Sequence, residues 1–246
     1  MVNDSSKHIE SQLHRSEGSH WRNYIAEFVY GGIDGSITTF AVVAGAAGAH
    51  LDSPIVIILG LANLIADGFS MSVGAYLAAK TEQEEYKKHE SIEYWEVEHL
   101  PEREKEEVRE IYRQKGFEEP LLSQVVEVIT ANKKRWVDVM MKEELGMVKD
   151  ERSPFALGLS TFIAFLLVGS IPLLVYLWDW LVGDTSLPLF PVSCVATGIA
   201  FVVVGYMKAY VNHSSKLKAI AETLLLGTSA AVLSYIVGHY LEKWLA

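Results

Sequence analysis

Between residues 89 and 107 the chain carries Glu90, Glu93, Glu96, Glu98, Glu102, Glu104, Glu106 and Glu107, opposed only by Arg103 and Lys105. Glu93/Glu96 and Glu104/Glu107 are each three residues apart, so in a helix each pair shares a face. Carboxylates that close repel unless a cation neutralises them, and a merely solvated face interleaves both signs. Met140, Met141 and Glu144 follow, with Met140 and Glu144 again on one helical face. Oxygen donors with an added thioether and no thiolate suit Fe²⁺ or Mn²⁺, with Co²⁺, Ni²⁺ and Zn²⁺ also accommodated. Inward-facing glutamate pairs are the device of carboxylate-bridged di-metal bundles. The competing readings are a solvated charged face for the glutamates and gap-filling core residues for the methionines. His89 and His99 are candidate extra ligands. The one cysteine, Cys194, excludes an internal disulfide framework and a Cys-based zinc module.

A second group of acids interrupts apolar segments: Glu27, Asp34, Asp67 and Glu222. A charge at mid-bilayer costs at least ~2.5–3.5 kcal/mol, so such residues line a pathway or pair. Asp34 lies in GGIDGS, where Gly31, Gly32 and Gly35 admit a close helix. Met71 follows Asp67 by one turn on the same face. Glu27 and Glu222 fall nearer the segment ends, where headgroups can solvate them.

The elements that must position these groups are helices. A spanning helix needs ~20 apolar residues, and residues 26–49, 54–79, 154–180, 189–210 and 219–241 qualify. Ser53–Pro54 and Ser153–Pro154 each place a capping hydroxyl before a first-turn proline. Trp21, Tyr24, Trp178, Trp180, Tyr240 and Trp244 sit at the span ends, as interfacial rings do. The charged block between spans two and three predicts three helices: 81–99 continuing span two, 101–115 closed by Gly116, and 120–145 closed by Gly146. The fold class expected is therefore all-α, a polytopic membrane protein of five spans with an inserted three-helix domain. Its parts are an N-terminal segment 1–23, spans one and two in 24–80, the domain in 81–152 and spans three to five in 153–246. Lys7, Arg15, Arg22, Lys208, Lys216 and Lys218 put the N-terminus and the domain in the cytoplasm and the C-terminus outside. The polar first twenty residues predict no cleaved signal. A net charge of −10 argues against nucleic acid as a partner and suits a cation.

GGIDGSITTFAVVAG, LIADGFSMSVGAYLAAKTEQE, WVDVMMKEELGM and VGYMKAY, in this order, resemble the vacuolar iron transporter family. The resemblance runs from Tyr24 onward. It implies a homodimer of five-span protomers moving Fe²⁺, and often Mn²⁺, out of the cytosol in exchange for protons. No prosthetic group is implied. The domain ligands it implies are Glu93, Glu96, Glu104, Glu107, Met140, Met141 and Glu144, with Asp34 and Met71 on the membrane path near the dimer axis. One position departs: plant members carry Glu where this chain has Asn63, and the acid stands one turn on, at Asp67, which is expected to substitute. The membrane is expected to be the cell membrane of a prokaryote or the vacuolar membrane of a plant or fungus. The alternative is an enzyme, a membrane-anchored di-iron ferroxidase-like protein. It finds an apt Glu-x-x-His spacing only at Glu96 and His99 and leaves the intramembrane acids without a purpose.

Overall fold

The computed structural model describes residues 22–183 and 187–245; Lys7, Arg15 and Trp21 lie outside them. The described residues are helical and contain no strand. In order they form α1 (Arg22–Gly48), α2 (Ser53–His99), α3 (Pro101–Gln114), α4 (Leu121–Thr130), α5 (Lys133–Val139) and a π-helical turn (Met140–Glu144). Then come α6 (Pro154–Gly169), α7 (Ile171–Val182), α8 (Leu189–Val211) and α9 (Lys216–Leu245). The described residues group into two units, one of residues 22–76 with those described from 153 on, the other Leu77–Arg152.

In the first unit α1, α2, α8 and α9 are each long and apolar enough to cross a bilayer, and α6 with α7 makes a bent pair of sufficient length. The span expected over 154–180 is thus two helices, bent by 54° around Ser170. Pro172 explains the break: it has no N–H to donate, and its ring displaces the carbonyl four residues back. Ser193 on α8 donates to the Pro172 carbonyl at 2.7 Å, tying α8 to the bend. Helix α1 packs against α6, α7, α8 and α9. Side-chain-free surfaces permit this: a Cβ on Gly35 would lie 2.7 Å from the Phe165 carbonyl oxygen of α6. The apolar half of α2 leaves Ile58 66% and Phe69 63% exposed, a surface suited to lipid rather than water.

In the second unit the 47-residue α2 changes character, from apolar before Ala79 to charged from Lys80 on. It ends at His99, and Leu100 leaves the helical region (φ −128°, ψ 43°) ahead of Pro101, which starts α3. Gly116 follows α3 with φ +92°, and Phe117 N–H bonds back to the Tyr112 carbonyl, closing the helix as expected. The single helix expected over 120–145 is instead divided. Thr130 ends α4, and Asn132 adopts an extended conformation and caps α5, its side chain accepting from Arg135 N–H at 3.0 Å. Apolar residues of this stretch form the core of the unit: Leu122, Val126, Ile129, Trp136, Val137 and Met140 are buried with Tyr86, Val97, Val108 and Met141, and Val125 packs against them half-buried.

Candidate metal centre

The site begins with helix phase. Val97 on α2 and Val108 on α3 face the core of the second unit, and Glu93 and Glu104, each four residues earlier, share those faces. Both glutamates are consequently buried, at 4% and 1% exposure. One carboxylate oxygen each from Glu93, Glu96 and Glu104 lies within 4.8 Å of the others. The Oε2 atoms of Glu93 and Glu104 are enclosed without a hydrogen-bond partner. Burial first, then the charges of Glu144, Glu96 and Glu107, push the Glu93 carboxyl up to about 7. Glu104 is likewise pushed up to about 7, by burial and then by Glu107, Glu93, Glu96 and Glu144.

Glu144 enters this field from the π-helical turn, its carboxyl raised by burial and by Glu107 and Glu96. The π turn closes through Leu145 N–H to the Met140 carbonyl; such turns are frequent at functional sites. Glu107 is held by Arg103, whose Nε lies 2.9 Å from its carboxylate. Met140 and Met141, the first two residues of that turn, are buried in the apolar core of this unit. The remaining acids of α3 behave differently. Glu102, Glu106 and Glu110 pair with Lys105, Arg109 and Arg113 at i, i+3 spacing. That face is the interleaved, solvated one, so the acidic run divides into two faces of opposite character. Glu98 and Glu143 are held below the usual carboxylate range by the lysines that donate to them, Lys133 and Lys115.

His99 is not drawn in. Its ring stacks on Trp95 at 4.6 Å between centroids, and its Nδ1 lies 2.8 Å from the Trp95 carbonyl oxygen. Neither His99 nor His89 joins the carboxylate group among the described residues.

In the first unit, Asp34 on α1 and Asp67 on α2 are both partly buried and within electrostatic reach of each other. Asn63, Asp67 and Met71 recur every fourth residue and so form one column on α2. The Asn63 Nδ2 is enclosed without an acceptor, while Met71 is 41% exposed. Glu222 pairs with Lys208 at 3.2 Å. A further group carried no expectation from the sequence: His50, His239 and Glu242 also bring possible ligand atoms within 4.8 Å of one another. The spacing of His239 and Glu242 on one helical face was the available signal.

The profile of the VIT family matches residues 25–239. A vacuolar iron transporter of Toxoplasma gondii is 35% identical over 89% of this chain and 75% of its own length. Vacuolar iron transporter 1 of Arabidopsis thaliana is 33% identical over 89% of this chain and 86% of its own. Vacuolar iron transporter 1 of Tulipa gesneriana is 30% identical, covering 95% and 94% respectively.

Proposed function

Since the chain belongs to the VIT family, we propose that it transports divalent iron, and Mn²⁺ as a second substrate, out of the cytosol across a membrane in exchange for protons. The observation that carries this reading is the triad of Glu93, Glu96 and Glu104, two of them buried with unpartnered oxygens. Buried carboxylates without donors require protons or a cation. Hard oxygen donors fit Fe²⁺ and Mn²⁺, with the Met140 and Met141 thioethers as the proposed softer donors.

Capture and passage are separate tasks. The glutamates collect the ion on the cytoplasmic side, helped by Glu107 and Glu144. The ion then passes to Asp34 and Met71 within the spans, in a dimer of two such chains. Protons moving the other way titrate Asp34 and Asp67 and release the cation. The basic flanks of the short loops support a cytoplasmic domain. The names of the relatives support a vacuolar membrane where the cell has a vacuole.

Fe²⁺ flux into sealed proteoliposomes under an imposed pH gradient tests this. Asp34→Ala should abolish flux while the purified protein binds Fe²⁺ as wild type does. Undiminished flux in that variant would remove Asp34 from the path, and oxygen consumption on adding Fe²⁺ without uptake would favour the enzyme.

A further inference from the structure

We propose that His50, His239 and Glu242 form a second site for a divalent transition-metal ion, distinct from the carboxylate centre and built on nitrogen donors. His50 lies in the turn between α1 and α2, and His239 and Glu242 lie in the last turns of α9. This is the end of the first unit opposite the one at which α2 leaves it. The three offer ligand atoms within 4.8 Å of one another. Two imidazoles and a carboxylate are a borderline donor set, suited to Zn²⁺, Fe²⁺, Co²⁺ or Ni²⁺ and unlike the hard cluster of glutamates.

Three observations favour a built site over a chance meeting of surface groups. The Nδ1 of His239 is enclosed and has no hydrogen-bond partner, although enclosed polar atoms are nearly always satisfied. His50 holds a left-handed backbone (φ +51°) just past the end of α1, where Leu51 N–H reaches back to the Ala46 carbonyl at 3.0 Å. Glycine or asparagine is the usual residue there, so an imidazole is kept at a position that penalises any Cβ. Finally, α9 is clamped onto α1: a Cβ on Gly238 would fall 2.0 Å from the Gly45 carbonyl oxygen. That contact fixes His239, the next residue, against the His50 turn, with ring centroids 6.2 Å apart.

Without an ion, Glu242 and His50 satisfy each other, Oε2 lying 2.8 Å from Nδ1. A cation takes the place of the proton they share and supplies the partner that His239 lacks. Binding itself is independent of the transport reading. Its use as a station for the departing ion rests on the direction proposed above.

The test loads the stripped full-length protein in detergent with Zn²⁺ and records zinc-edge X-ray absorption alongside bound-metal stoichiometry. Wild type should show imidazole scattering, and the Glu93→Gln/Glu104→Gln variant should retain it. His50→Asn/His239→Gln should lose that signature and one Zn²⁺ per protomer, with asparagine preserving the turn. Glu242→Gln alone, which leaves both imidazoles and the turn intact, should lose the same ion. A wild-type spectrum without imidazole, or a signature and stoichiometry unchanged in both histidine and Glu242 variants, overturns the proposal.

Discussion

Glu104 sits at 1% exposure beside other acids, and its titration makes the stability of the fold depend on pH. In an unfolded chain a glutamate gives up its proton near pH 4.5, whereas the folded protein holds those of Glu93 and Glu104 to about 7. As pH rises between these values the unfolded state ionises first, so the metal-free fold loses stability across the window and levels off above it. At the proposed centre metal affinity should run the other way, because binding would displace those protons. The melting temperature of stripped full-length protein should therefore fall from pH 5 to pH 7.5, and Fe²⁺ titrated by calorimetry should bind more tightly at the higher pH. Glu104→Gln should flatten the decline, stabilise the stripped protein at pH 7.5 by on the order of 2 kcal/mol and weaken Fe²⁺ roughly tenfold or more. A stability that climbs across this window would contradict the assignment. The convergence of Glu93, Glu96 and Glu104 was legible because i, i+3 spacing and a proline break are local signals. The delivery of Glu144 by a π turn was not, since a helical period gives no warning of an i, i+5 bond.

Helices in lipid associate through close packing rather than through water exclusion, and here the contact is made beside Asp34. Gly35 faces the α6 backbone so closely that a methyl would lie 2.7 Å from the Phe165 carbonyl oxygen and 2.9 Å from its ring. Gly35→Ala should destabilise the protein by about 1–3 kcal/mol and reduce Fe²⁺ flux with the Asp34 carboxylate still present. Gly198 on α8 has no atom within 4 Å of an added Cβ, so Gly198→Ala should be neutral or slightly stabilising, as alanine is in a helix. Equal melting temperatures for the two variants, by intrinsic fluorescence in detergent, would refute the packing argument. Glycines around an intramembrane acid made the close contact readable in advance, but not its partner, which only the folded bundle supplies. The breaks at Pro172 and Asn132 were carried by residues known to interrupt or cap helices. Each was masked by apolar periodicity continuing on both sides.

At the scale of the molecule, acids occur in two settings that no single stretch of sequence relates: a charged unit with clustered glutamates and an apolar one with sparse carboxylates. Spans are readable from length and hydropathy, yet His50 and Glu242 meet across 192 positions, a proximity that periodicity cannot reveal. The same limit applies to Asp34 and Asp67, which interact across α1 and α2. Asn63 and Asp67 are one turn apart on α2, so a carboxylate at either position stands on the same helix face. If Asp67 carries the returning proton, Asp67→Asn should lower pH-driven Fe²⁺ flux about tenfold, equivalent to ~1.4 kcal/mol, and leave Fe²⁺ binding to the purified protein intact. Adding Asn63→Glu to that variant should restore the dependence on the gradient by returning an acid to the column. The measurement is Fe²⁺ uptake into vesicles at several imposed pH differences. A Asp67→Asn variant that follows the gradient as steeply as wild type would leave Asp34 as the sole candidate for coupling, and a double variant that stays inert would show that the carboxylate must stand at residue 67.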